Sequence, residues 1–541
     1  MAGVTQPMKR TPKYDTRVNR EPNTHTHEGG LAVTKSAYEE LIGILTTKFN
    51  EDSFYESRGD TEDRMIAVIQ ELCRTEEGAL FALKAVVYAR TISNMRTMPL
   101  MALAVIANTV KGWRLQKAVG EAASKAYTRV DDVITVVAYS KLRYGRIPKY
   151  IRQSVAGYLD KQNAYTLAKY QRRTHNFKLR DVIKLCHPSK HYDDSYKEII
   201  ENKLRNKETW ESRLSAGEKK EEVFSDLVKD KKIGHMALLR NIRNIRDVDD
   251  VEFDSALTLL SDEEKVKNGK QFPFRYYSAY KALCTDYQEG TAISMRNAFA
   301  TGAQTKSMST ERINKAAKAL SSAMLIQMDQ YDIVDENDTV AVIYDLSGSM
   351  SWLPVSEKST IAMREVGAVL AAMISQKYHN VEVWGFATEY RNVTQEIQDD
   401  VPIPALVHRL VNYDLGGGTN LHQVINQITR SGKQYTKVFV ISDFQIFPEP
   451  GYAQGYWSSY YEHEQRSIVQ FAAQNPNATV YFVDVSDYGK KPVISTHGSV
   501  VQIVGFSDNI FSVAGSRDRD SASAMIAEIE ESVILTEPLV R

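Results

Sequence analysis

Cysteine is scarce in this 541-residue chain: Cys73, Cys186 and Cys284 are the only three. None forms a C-x-x-C pair, which excludes a disulfide framework and a cysteine zinc cage and points to a reducing, cytoplasmic setting. Long apolar runs are also missing. The longest, "MPLMALAVIANTV", is interrupted by Pro99 and Asn108. It falls short of the roughly 20 residues a membrane-spanning helix needs, so no membrane partner is expected. The opening thirty residues lack the apolar centre of a secretory signal, and residues 1–30 read as a flexible tail. Net charge is the last absence, with Lys+Arg 68 against Asp+Glu 68.

That zero conceals a division. Residues 1–330 hold 54 Lys+Arg against 42 Asp+Glu, net +12, and residues 331–541 hold 14 against 26, net −12. Two bodies of opposite sign attract one another, and a basic body also offers a site for a polyanion. The density peaks in residues 141–180, where 11 Lys+Arg meet a single acid. Tyrosines interleave with the cations in "KLRYGRIPKYIR" and "AYTLAKYQRR". That mixture suits RNA, with cations for phosphates and aromatic faces for unpaired bases. Lys141, Arg143, Arg146, Lys169, Arg172 and Arg173 are its candidate contacts. The four-residue spacing of Lys169 and Arg173 predicts one helical face carrying both. A solvated helix face is the plainer reading of the same stretch.

Periodicity divides the chain at the same place. From about Thr34 to Met328 apolar residues recur three and four apart, as in "ALFALKAVVYARTI", which predicts consecutive amphipathic helices stacked as a solenoid. The linker 329–339 ends that pattern. Short apolar runs then alternate with helical text: "VAVIYD", "VEVWGF", "KVFVISD", "ATVYFVD" and "VVQIVGF" around "STIAMREVGAVLAAMISQKY" and "LHQVINQIT". Met363, Val366, Leu370 and Met373 give the first of those helices a buried stripe. Such alternation predicts a doubly wound, mostly parallel sheet, whose ligands sit beyond the carboxyl ends of the strands.

At that edge "VIYDLSGSM" ends a strand on D-x-S-x-S: Asp345, Ser347 and Ser349. The glycine-rich "YDLGGGTN" presents Thr419, and "VFVISDFQ" runs into Asp443. Two carboxylates and three hydroxyls, all oxygen, suit Mg²⁺ or another hard divalent cation and exclude soft metals.

These five residues resemble the metal-ion-dependent adhesion site of von Willebrand factor A domains. The resemblance implies a Mg²⁺ with one position open to an acidic ligand. In the helical half "GHMALLRNIRNI", "LAKYQRR", "LCHPSK" and the early "HEGG" resemble the TROVE module of the Ro autoantigen family, a ring of HEAT-like helical repeats ahead of a von Willebrand A domain. The domains expected are therefore a tail at 1–30, a TROVE RNA-binding region at 31–330 and a von Willebrand A-like region at 331–541. The resemblance implies a non-catalytic monomer that binds small noncoding Y-like RNA outside the ring and single-stranded 3′ ends of misfolded RNAs through its basic hole, in RNA quality control. An exoribonuclease or another protein would dock through the metal site. Motif matching carries RNA contact onto Lys169, Arg173 and His187.

Two other classes compete with this reading. Asp345 and Asp443 are too few for the three or more carboxylates that metal-dependent nucleases usually gather, and Cys186–His187 are chain neighbours rather than a nucleophile and base. A protein-interaction adaptor would use the metal site to capture an acidic partner, with the helices as scaffold. It would have no need of the basic 141–180 stretch.

Overall fold

The computed structural model of the chain describes residues 23–535 apart from 28, 54, 171–176, 190–193, 202–212, 215, 232, 247, 285–307, 330, 332–334, 352–353, 356–358, 398–399, 446–466, 493–498, 507–509 and 512–523.

Helices fill the first part, and their starts are written locally. Ser36 Oγ accepts from the Glu39 N–H while the Glu39 carboxylate accepts from Ser36 N at 3.0 Å, a reciprocal cap for the helix Ala37–Thr47. Ser57 and Asp60 do the same for Arg58–Leu72. Among the following helices, Glu76–Thr91 packs on Trp113–Ala126, Thr97–Thr109 on Val130–Tyr144, and Trp113–Ala126 on Lys149–Leu159, each on the next but one, as stacked helical repeats do. Their small and branched residues, Ala79, Ala82, Val86, Ala102, Val105, Ala122 and Val136, are buried between the layers.

The last long helix of this part, Thr310–Met328, leads to a six-stranded sheet of order β5-β4-β3-β6-β7-β9. Its strands are β3 (Thr339–Asp345), β4 (Asn380–Phe386), β5 (Tyr390–Asn392), β6 (Lys437–Ser442), β7 (Thr479–Asp484) and β9 (Val500–Val504). All pairings are parallel except β4 with β5. Buried side chains cover almost the whole of β3, β6 and β7, the mark of a sheet packed on both faces. The fold is thus an array of helical repeats followed by a doubly wound α/β sheet.

The two ends of the array meet on the sheet domain. Phe49 stacks on Phe506 with ring centroids 5.2 Å apart, and Phe272 and Phe274 lie 5.5 and 5.8 Å from the same Phe506. One aromatic cluster therefore joins the start of the array, its later helices and the far edge of the sheet.

Part of the expected tail is structured. β1 (Thr24–His25) pairs antiparallel with β2 (Leu31–Thr34), and β2 pairs with β8 (Lys490–Pro492) more than 450 residues away. The tail expected over 1–30 therefore does not extend through Thr24 and His25. Backbone pairing to β8 orders a segment whose own sequence is too short and polar to bury a core.

Candidate metal centre and nucleic-acid interface

Strands β3, β6 and β7 are parallel neighbours, so their carboxyl ends share one edge, and each delivers a carboxylate there. Asp345 closes β3, Asp443 follows the last residue of β6, and Asp484 closes β7 opposite Ser442. Asp345 and Asp443 are both buried. Asp345 Oδ1 accepts from Ser347 N at 2.7 Å, and its other oxygen accepts the Ser442 hydroxyl. The hydroxyls of Ser347 and Ser349 are 3.3 Å apart. Gly348 N donates to Gly417 O at 3.0 Å, which ties the glycine-rich loop carrying the buried Thr419 to the D-x-S-x-S turn.

Glycine is required in that loop. Gly416 has φ +86°, and a Cβ there would meet Thr388 Oγ1 at 2.6 Å. Thr388 Oγ1 in turn accepts from Gly418 N at 2.8 Å. Ser442 and Thr388 are supports that sequence reading passed over. Ser442 stood inside the quoted "VISDFQ"; Thr388, 30 residues before the loop it braces, had no local signal.

The electrostatics of this edge ask for a cation. Burial raises the Asp345 carboxyl to about 6. Burial, with Asp345 beside it, raises that of Asp443 to about 8. Asp443 Oδ2 is buried and has no hydrogen-bond donor. An orphaned carboxylate oxygen, a second carboxylate and neighbouring hydroxyls form a donor set that fits a hard divalent cation. Among the described residues no Lys or Arg pairs with either carboxylate.

The basic face is described in part. Lys141, Arg143, Lys149, Arg152 and Lys161 are exposed, as are Leu142 (80% exposed) and Tyr165 (57% exposed). Arg146 is exposed, but its guanidinium donates to Asn108 Oδ1 at 3.2 Å and to Asn108 O at 3.1 Å, closing the carboxyl end of helix Thr97–Thr109. The lone acid of the stretch, Asp160, accepts from Ser189 N and Oγ, so it anchors the "LCHPSK" turn. Lys169 is the last residue of helix Ala164–Lys169, with Tyr170 at its C-cap (φ −101°, ψ 4°), and the helical face expected to carry Lys169 and Arg173 together lies outside the described residues. Arg172, Arg173 and the side chain of Lys169 lie outside the described residues. His187 is exposed and left-handed (φ 51°) at the end of helix Leu179–Cys186. Burial pushes the neighbouring Cys186 thiol up to about 12, far from a reactive thiolate.

"GHMALLRNIRNI" is a core motif. His235, Leu238, Leu239, Ile242 and Ile245 are buried, and His235 Nε2 lies 3.0 Å from the Tyr276 hydroxyl. Residues 200–333, which include it, match the TROVE domain.

Over that stretch the chain is similar to TROVE-domain proteins. Among curated relatives, telomerase protein component 1 of Mus musculus is 35% identical over 83 residues, 15% of this chain and 3% of that protein. The Rattus norvegicus protein is 34% identical over the same length and shares. The chain thus spans about 3% of the length of the curated relatives it matches. The crystal structure of the Deinococcus radiodurans Ro (Rsr) protein superposes with a TM-score of 0.55, covering 89% of this chain and 99% of that one at 16% identity, a likeness of fold.

Proposed function

We propose that this chain is a non-catalytic RNA-binding protein of Ro type. Its helical half holds Y-like noncoding RNA and single-stranded 3′ ends of misfolded or structured RNAs, in the service of RNA quality control. Its sheet half binds Mg²⁺ through Asp345, Ser347, Ser349, Thr419 and Asp443. The observation that carries the reading is a run of exposed cations, Lys141, Arg143, Lys149, Arg152 and Lys161, in the helical half that also carries the TROVE match, with Tyr165 exposed in the same run and its one acid engaged elsewhere.

Phosphates would take the cations, which fixes position without reading sequence, while unpaired bases stack on tyrosine. At the sheet edge the chain's own groups do the holding: two carboxylates and three hydroxyls supply hard oxygen donors, and the bonds from Ser347 N and Ser442 Oγ orient Asp345. A bound Mg²⁺ would supply a charge able to engage an acidic group.

The test is a salt titration of binding to a structured RNA with a single-stranded 3′ tail. The Lys169→Ala/Arg173→Ala double variant removes about two phosphate contacts, so the slope of log affinity against log salt should fall by roughly 1.5 to 2 in magnitude. Different RNA sequences should be affected alike. An unchanged slope and affinity would remove both residues from the interface.

A further inference from the structure

Beside the two-aspartate centre lies an open pocket of about 310 Å³. Leu346, Gly348, Gly416 and Gly417 line it and also frame the metal candidates, since Gly348 sits between Ser347 and Ser349, and Gly417 precedes Thr419 by two residues. Its one basic lining residue is Arg364; Tyr413 and Val411 add apolar surface.

Arg364 is poorly explained by the fold alone. It stands in the first turn of helix Met363–Lys377, where the helix dipole disfavours a cation. Its Nε is buried and has no hydrogen-bond acceptor. The acids around it are engaged. Glu365 accepts from Lys281 Nζ at 2.8 Å and from Ala362 N at 2.8 Å. Glu396 accepts the Tyr413 hydroxyl and pairs with Arg391 at 3.4 Å. Asp414, the acid of the pocket wall, accepts from Gly416 N at 3.3 Å. No ion pair joins Arg364 to an acid among the described residues.

We propose that Arg364 forms a second carboxylate-binding subsite beside the Asp345–Asp443 centre, so that the partner captured there is an acidic peptide held through two carboxylates, one at the bound cation and one at this guanidinium. The proposal rests on the metal reading of Asp345 and Asp443. A peptide fits better than a nucleic-acid strand for two reasons. Leu346, Val411 and Tyr413 offer apolar contact to side chains flanking the acids. The exposed basic face that suits RNA belongs to the helical half. A planar guanidinium also matches a carboxylate bidentately, which gives orientation as well as attraction.

The experiment uses the full chain and acetylated, fluorescent peptides in which one aspartate and one glutamate are separated by no, one, two or three glycines. Control peptides carry either acid as its amide. Binding is read by anisotropy with Mg²⁺ and with EDTA, for wild type, Arg364→Ala, Arg364→Lys and Asp345→Ala. At least one two-acid peptide should bind in Mg²⁺, and Arg364→Ala should weaken it roughly tenfold, the scale of one charged hydrogen-bonded contact. The same substitution should leave the single-acid controls unchanged. Arg364→Lys should recover part of the loss, and the melting temperature of Arg364→Ala should match wild type. Mg²⁺-dependent binding indifferent to Arg364→Ala overturns the subsite and leaves the metal reading standing. Binding indifferent to EDTA and to Asp345→Ala overturns the metal reading, and the subsite with it. Failure of every peptide overturns the proposal, as does a single-stranded oligonucleotide that alone binds with Mg²⁺ and Arg364 dependence.

Discussion

Two pairs of buried aspartates sit a strand apart on the same sheet edge, and the protein treats them in opposite ways. Asp484 and Asp487, at the end of β7, receive a cation from the chain itself: Lys35 Nζ contacts Asp487 and lies 3.4 Å from Asp484. Arg64 adds a second, donating to Asp487 O at 3.1 Å while gripping Glu56 at 2.8 Å. Burial still raises the Asp484 carboxyl despite Lys35, but at Asp487, where burial alone would also raise it, Lys35 and Arg64 hold the carboxyl below its ordinary value. Asp345 and Asp443 are buried to the same degree, and both are raised. The same desolvation acts on both pairs, so the supply of positive charge makes the difference. The first pair is a structural clasp between the early helices and the sheet; the second has no Lys or Arg partner among the described residues, which is what the proposed metal site requires.

The largest test of this contrast removes the built-in cation. Lys35→Met leaves Asp484 and Asp487 buried without their principal partner and should lower stability by about 3–5 kcal/mol, read by urea denaturation. A loss under about 1 kcal/mol would mean that Lys35 is not the clasp.

Next in size is the effect of added Mg²⁺ on the other pair. Carboxyls raised to about 6 and about 8 keep protons that the unfolded chain gives up near pH 4. Metal-free stability at this end therefore falls as pH rises from about 4 toward 8. Mg²⁺ should restore it, by about 2.7 kcal/mol at a hundred times the dissociation constant, and more at pH 8 than at pH 6. Thermal melts with Mg²⁺ and with EDTA across that window read the effect, which should vanish in Asp443→Asn.

A smaller test probes how tightly the clasp is packed. Gly43 lies inside helix Ala37–Thr47, where glycine is a poor helix former, and a Cβ there would stand 2.2 Å from the Asp487 carboxylate. Gly43→Ala should therefore destabilise by about 1–3 kcal/mol despite its better helix propensity. A stabilised variant would show that the carboxylate can withdraw freely.

The two pairs also differ in how legible they were. Asp345, Ser347, Ser349 and Asp443 follow apolar strands within a few residues, so β periodicity located them on the right edge. The strands "VAVIYD", "VEVWGF", "KVFVISD", "ATVYFVD" and "VVQIVGF" could be read for the same reason: each is a buried run bounded by polar turns. The clasp left no such trace, because Lys35 meets Asp484 across 449 positions and nothing local marks it. The exposed edge strand β5 and the short β1, β2 and β8 carry no apolar alternation and are ordered by pairing across the chain. The array of helices was plain from its periodicity.

The most direct measurement is isothermal titration of Mg²⁺ into the metal-free wild type and Asp345→Ala at about pH 6 and about pH 8, with RNA affinity measured on the same preparations. The account predicts one saturable site in the wild type that binds more tightly at the higher pH and releases protons at the lower, is lost in Asp345→Ala, and leaves RNA affinity unchanged. Equal Mg²⁺ binding by both proteins, or an RNA affinity that falls with the metal site, would contradict it.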